Sequence, residues 1–434
     1  MQIQNKTYIL SIAYNNYQTG IGGVDKAILA QKEKLKCNKI SYIFLFPQLA
    51  RVKKRYILAH VWEVIADDKN CGLYTTKELW KALLKLQKNN YQLQSITIHH
   101  LLNIYFPDLY YVLNGTKGTI QVIIHDYYTI CPQCFLLKNY EKFCGEEGYQ
   151  EEKCKSCKSY PDVKLHVIKM MQFFQNYQRR IQLIFPSEHA EQLWSKAYPN
   201  LKLEKEIVPH LILKGEYQEN LEYIQATQPI KIAYIGQQLY LKGWNIWKKL
   251  YLDKKLENGY QTYYIGMGKD IKYAEKNIKI SFQKDGKDAM LNALRKLKIT
   301  CAILWSICPE TYSYVYYECL AANLFIITNA DSGNIAAMVR KNGNGIVLNR
   351  KEELEELMEN PIRLKHRIND WRMEKRLGAK VLSDNGRIFE IEGIKAEVIE
   401  NIDKTAESKI KIWYEKTLIQ IVKLIKKIAI KWFY

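Results

Sequence analysis

The sequence predicts an α/β protein of two doubly wound, Rossmann-like domains facing a central cleft. Short apolar runs bounded by turn residues alternate with stretches of helical periodicity, the pattern of strands joined by crossover helices into parallel sheets. That pattern runs twice, interrupted from Lys214 to Pro229 by a polar segment poor in branched apolar residues. A chain of 434 residues, 47% of them hydrophobic, can bury two such cores.

The predicted division is a first domain over 1–213 with a Cys-rich insert at 131–157, a linker at 214–229, a second domain over 230–393, and a basic amphipathic helix over 394–434. Lys6 to Tyr14 reads as the first strand, followed by the loop Gln18 to Val24 with Gly20, Gly22 and Gly23, then a helix to about Lys36. Glycines after a first strand let the backbone approach a phosphate closely, and the following helix adds free N–H groups; such a loop also serves as a plain tight turn. Ser41 to Phe46, Ser95 to His100 and Ile120 to Ile124 read as further strands, the last ending at His125-Asp126. A His at the carboxyl end of a parallel strand points into the cleft. The plainer reading has His125 cap the strand beside Asp126, and His99 and His100 are read as structural. Val163 to about Arg180 has helical periodicity, Gln182 to Phe185 a strand pattern, and Ser187 is suited to cap the next helix.

The second domain opens with the strand Ile230 to Ile235, then Gly236-Gln237 and Lys242-Gly243. Tyr260 to Gly266 and Ile278 to Phe282 read as strands and Lys287 to Leu297 as a helix. The strand Thr300 to Trp305 stops at Cys308-Pro309, and a helix begins near Ser313. Glu310 precedes this helix and Glu318 lies on it. Eight positions at helical rise span on the order of 12 Å, about the reach from the sugar of a nucleotide sugar to its ribose. Taken alone, Glu310 could merely complement a helix N-terminus and Glu318 be a solvated residue. Phe325 to Thr328 reads as a strand, Ser332-Gly333 opens another helix, and Lys351 to Glu359 is a Glu-rich helix. Residues 361–407 give no pattern beyond a helix starting near Ile394.

Five cysteines fall in the insert: Cys131, Cys134, Cys144, Cys154 and Cys157. Two C-x2-C pairs with nineteen residues between them approach zinc-ribbon spacing, and four thiolates form a closed structural site. Pair spacing alone selects Cys131, Cys134, Cys154 and Cys157. The 65 Lys and Arg against 45 Asp and Glu give a net charge of +20, which calls for an anionic partner: nucleic acid, phosphorylated small molecules or an anionic membrane surface. In the tail, Leu418, Ile421, Ile425, Ile428 and Trp432 share one helical face and Lys416, Lys423, Lys426, Lys427 and Lys431 the other, a pattern suited to a membrane surface or to packing back on the first domain. No stretch approaches the roughly 20 apolar residues of a membrane span, and the first residues carry no cleavage pattern. The expectation is a cytoplasmic protein, peripheral on the inner face of the membrane.

The stretch Pro309-Glu310-Thr311-Tyr312-Ser313 through Glu318, with Ala321-Ala322, the strand Phe325 to Thr328 and Ser332-Gly333, resembles the donor half of retaining glycosyltransferases of the GT-B fold, specifically family four, bacterial cell-surface polysaccharide type. The resemblance is strongest over 230–348 and 120–157. It implies transfer of a sugar from a nucleotide diphosphate sugar to a glycan or lipid-linked glycan acceptor, with no nucleic-acid partner. By that resemblance Glu310 and His125 face the transferred sugar, Glu318 binds the ribose hydroxyls, and the Gly22-Gly23 loop closes over diphosphate and acceptor. Lys242, Gly236 and the backbone at Ser313, Tyr314 and Val315 hold the donor. Gln237 stands where the family has a phosphate-binding Arg, which removes one of two expected cations. Family members with a His-Asp-Tyr-Tyr, Cys-Pro stretch favour Cys131, Cys144, Cys154 and Cys157 as ligands of a structural zinc. No catalytic metal is implied, because the leaving diphosphate is thought to deprotonate the acceptor. The rival readings are a GT-B sugar-nucleotide epimerase, a non-catalytic family member, and a zinc-containing nucleic-acid-binding protein.

Overall fold

The computed structural model describes residues 1–400 apart from 21, 53–54, 161, 219–222, 375–377 and 386–395. The tail expected to form an amphipathic helix over 394–434 therefore lies, save for 396–400, outside the described residues.

The first domain is built on an eight-stranded sheet in the order Glu204–Ile207, Ile181–Phe185, Ile120–Ile123, Gln92–Ile98, Thr7–Ile12, Ser41–Val52, Arg55–Ala66, Lys69–Thr75. The first six strands are parallel, and the last two complete an antiparallel meander. Central strands covered on both faces read as unbroken apolar runs. Tyr8, Ile9, Leu10 and Ile12 are accordingly all buried, Leu10 and Ile12 in the main core and Ile9 in a second cluster with Ile28 and Phe44 on the opposite face.

The second domain holds six parallel strands in the order Lys276–Ile278, Tyr260–Ile265, Ile230–Ile235, Cys301–Ile303, Phe325–Asn329, Gly345–Leu348. Numbered along the chain this is the 3-2-1-4-5-6 order of a dinucleotide-binding sheet. The order reverses between Ile230–Ile235 and Cys301–Ile303. The loops leaving the carboxyl ends of those two strands, at Gly236 and at Pro309–Ser313, therefore flank the crevice where such sheets take ligands.

Four local expectations are corrected. The region after Phe46 is a β-meander, because the second strand continues to Val52 and pairs antiparallel with Arg55–Ala66. The segment expected as a linker at 214–229 begins inside a strand, Leu211–Gln218, which pairs antiparallel with Gly378–Asp384. In place of a helix start near Ile394, Glu397–Val398 pairs with Thr116–Lys117, so the chain returns from the second domain to the first. Finally, the strand expected over Ile278 to Phe282 is confined to Lys276–Ile278, and Phe282–Asp285 is a helical turn. Pro361–Glu374, for which no pattern was evident, is a helix that buries Leu364, Ile368 and Trp371.

Candidate active site

The turn after Cys301–Ile303 is fixed by backbone rather than by packing. The Glu310 amide donates to the Ser332 carbonyl (3.2 Å), and its own carbonyl accepts from the Asn334 amide (2.9 Å). The Asn334 side-chain amide donates to the Tyr312 carbonyl at 2.8 Å. Gly333, at φ +64°, makes this approach feasible, since a Cβ there would lie 2.6 Å from the Glu310 nitrogen. Ser313 takes φ +72°, uncommon for a residue with a side chain, and caps the helix Tyr314–Ala321 by accepting from the Tyr316 amide at 3.4 Å. Strain held at such a turn is a feature of ligand sites.

This turn aims two carboxylates. Glu310 is ion-paired with Lys242 and accepts from the Ser306 hydroxyl at 3.1 Å. Lys242 ends a short helical turn, Tyr240–Lys242, placed by Gly243 at φ +80° against the Trp305 carbonyl. Glu318 is buried, unlike a solvated helix residue, and lies 3.6 Å from the ammonium of Lys26 of the first domain. Burial raises its carboxyl above the usual range, with Lys26 opposing. Gly236, at φ +108°, packs beside Val315. Gln237 is exposed, and its carbonyl accepts from the Tyr234 hydroxyl at 2.8 Å.

The first domain supplies the facing wall. Asp25 accepts from the Gly22 amide at 2.8 Å and so shapes the glycine loop from within the following helix. A Cβ on Gly23 would stand 3.5 Å from the Tyr314 ring, and the Gln283 side chain donates to the Gly20 carbonyl. The loop thus reaches the helix that carries Glu318. Thr311, beside Glu310, donates its hydroxyl to the His125 carbonyl at 2.5 Å, and Ser187 donates to the Thr311 carbonyl at 2.7 Å.

The His125 ring stands in a column. His99 lies edge to edge with it at a centroid distance of 5.3 Å, His210 is also 5.3 Å away, and His210 continues onto Tyr314 at 5.5 Å. Gln31 Oε1 accepts from the Tyr42 hydroxyl and faces His99 Nε2 at 2.8 Å. An amide oxygen cannot donate, so His99 Nε2 carries the proton and its Nδ1 accepts from His125 Nε2 at 3.1 Å. Burial holds His99 and His210 down at about 3, and it holds His125 well below its ordinary value with His210 and His99 adding to the effect. The column is neutral at pH 7.

Among the described residues, one set of three ligand-type atoms comes within 4.8 Å, those of His100, Asp126 and Cys134. The set is satisfied without a cation. The Leu102 amide donates to His100 Nδ1 at 2.9 Å, so Nε2 keeps the ring proton and donates to Asp126 at 2.9 Å. The other Asp126 oxygen accepts from the Tyr128 amide at 2.8 Å. Burial and then the charge of Asp126 push the Cys134 thiol up, which keeps it protonated. The other insert thiols form no such set among the described residues; Cys144 is pushed up to about 12 by burial and then by the thiols of Cys131, Cys157 and Cys154. Around Cys157 burial is outweighed by N–H donors from Asn139, Ser159 and Gln133, and the thiol is lowered.

The structure thus gathers Glu310, Glu318, Lys242, Gly23, Ser313 and Tyr314 with the backbone of His125 at the cleft, while Gln237 offers no charge there. Sequence reading missed Lys26, Thr311, Ser187 and His210. Lys26 follows Gly23 by one helical turn, which was a signal, but its partner Glu318 lies on another domain.

No protein-family model matches the chain. No curated protein matches it either. Solved structures do. Sucrose-phosphate synthase from Thermosynechococcus elongatus superposes with a TM-score of 0.50 at 10% identity, over 98% of this chain and 99% of that one. A glycosyltransferase from Rickettsia africae superposes with a TM-score of 0.51 at 12% identity, over 86% of this chain and 93% of that one. At such identity the likeness is one of fold, and the fold is GT-B.

Proposed function

We propose that this GT-B protein is a glycosyltransferase that moves a sugar from a nucleotide diphosphate sugar to a glycan or lipid-linked glycan acceptor with retention of configuration, in cell-surface polysaccharide synthesis. The observation that carries the reading is the placement of Glu310 and Glu318 on one strand-turn-helix at the switch point of the second sheet, both within reach of cations. In this reading the ribose hydroxyls donate to Glu318, and the amides opening the helix at Ser313 and Tyr314 face the diphosphate. Lys242, released from Glu310, receives the charge that develops on the leaving diphosphate. Glu310 then faces the sugar, held in place by its two backbone hydrogen bonds and by Ser306. The departing diphosphate oxygen takes the acceptor proton on the same face, so no side-chain nucleophile is required. In the neutral column His125 Nε2 is committed to His99, which leaves Nδ1 able to accept from a sugar hydroxyl without attracting a competing anion.

The test is release of nucleoside diphosphate from a panel of nucleotide sugars in the presence of acceptor glycans. Turnover by wild type and a loss of at least about a hundredfold in kcat for Glu310→Ala and Lys242→Ala are expected. Absence of both binding and turnover across the panel would overturn the reading.

The insert is read as a zinc knuckle held by Cys131, Cys144, Cys154 and Cys157. The spacing of the cysteines and the N–H donors around Cys157, which lower its thiol, support it, and metal binding would have to draw the four thiols together. Cys134, placed with His100 and Asp126, is the competing ligand that this reading leaves out. Zinc content near one per chain should fall on Cys154→Ser and stay on Cys134→Ser. Among the described residues no helix is long and apolar enough to cross a membrane, and the tail beyond residue 400 lies outside them. The basic pattern of 409–434 supports peripheral binding to an anionic surface, where a lipid-linked acceptor would lie. Vesicles containing anionic lipid should bind the full chain and lose it on truncation after residue 408.

A further inference from the structure

Each carboxylate of the site holds a lysine. Glu310 holds Lys242 of its own domain, and Glu318 holds Lys26 of the other. The Lys26 ammonium lies 3.6 Å from Glu318, 5.1 Å from the centre of the Tyr314 ring and 4.9 Å from that of Phe282. It therefore hangs over the first turn of the helix that opens at Ser313. Gln237, exposed and uncharged, leaves Lys242 as the cation that the second domain brings to Glu310.

We propose that Lys26 is the second diphosphate-binding cation of this site, delivered across the cleft from the first domain. The proposal rests on the nucleotide-sugar reading above and adds a residue to it. Ribose hydroxyls donating to Glu318 satisfy the carboxylate and free the ammonium. The diphosphate lies a few ångströms away along the same helix and carries the charge that the ammonium then needs. The same exchange occurs at Glu310, where sugar hydroxyls replace Lys242. Two Lys–Glu pairs become two carboxylates bonded to hydroxyls and two lysines bonded to a dianion. No buried charge is stranded at any stage, which matters because a lone buried ion is strongly destabilising. A cation supplied by the facing domain also ties cleft closure to the diphosphate. A free nucleoside, lacking phosphate, gains nothing from it.

The experiment measures affinity by calorimetry for uridine, adenosine and guanosine diphosphates and for the three nucleosides, with wild type, Lys26→Met and Lys26→Arg. Lys26→Met should weaken the preferred diphosphate about tenfold or more while leaving its nucleoside unchanged or tighter, since Glu318 is then unpaired. Lys26→Arg should restore most of the loss. Equal changes for diphosphate and nucleoside, or none for the diphosphate, would show that Lys26 only holds Glu318 and would overturn the proposal. Should wild type bind no diphosphate, the nucleotide-sugar reading itself falls and the proposal with it. The thermal midpoint of each variant without ligand reports folding separately.

Discussion

Glu310 is set by its neighbours' backbones, so the residue most sensitive to substitution near it has no side chain. Gly333→Ala would place a methyl 2.6 Å from the Glu310 amide nitrogen at φ +64°, where neither backbone can retreat. A loss of about 2 kcal/mol is expected, read as a lower urea midpoint, together with a fall in kcat from a displaced Glu310. Unchanged stability would mean that the turn is more pliant than its hydrogen bonds imply. Glu310 and Glu318 were legible in the sequence because a strand, a turn and a helix follow one another without long gaps. Their lysines were legible to different degrees. Lys242 sits beside a glycine after a strand, whereas Lys26 acquires its role only from a contact between domains.

At the scale of elements, Ser187 joins two of them with one hydroxyl. It accepts from the Ala190 amide at 3.1 Å to cap Glu188–Ala197 and donates to the Thr311 carbonyl at 2.7 Å. Ser187→Ala should therefore cost about 1–2 kcal/mol and also raise KM for the donor, because Thr311 loses a tether beside Glu310. A stability loss with KM unchanged would confine the residue to capping. The cap was evident from Phe185-Pro186-Ser187, since capping is local chemistry. The second hydrogen bond was not, because nothing near Ser187 in sequence specifies Thr311. The same distinction explains the misread strands. Leu211–Gln218 and Glu397–Val398 are short or polar and owe their extended form to partners far along the chain. The meander after Phe46 escaped notice because an edge of the sheet need not repeat the strand-helix rhythm of its centre.

For the molecule as a whole, the buried imidazoles set the response to acid. His99 and His210 are held at about 3 and His166 at about 4, each chiefly by burial, and His125 is also low. Their folded values lie below the ordinary value of about 6.5. Between those limits the unfolded chain binds more protons, so stability is full above about pH 6.5 and declines as pH falls toward 3. Thermal midpoints between pH 7.5 and 4 should show this decline, with a shallower slope in His210→Asn; a flat profile in wild type would refute it. The two α/β units, the strand-turn-helix with its carboxylates and the glycine loop were readable from the chain alone, because each arises from periodicity and turn chemistry within some tens of residues. The folded arrangement added that Lys26 faces Glu318, that His210 links His125 to Tyr314, and that Cys134 lies with His100 and Asp126. Those choices depend on contacts between segments far apart in the chain, some of them across the cleft, and burial there sets charge and protonation in ways that neighbours in sequence do not encode.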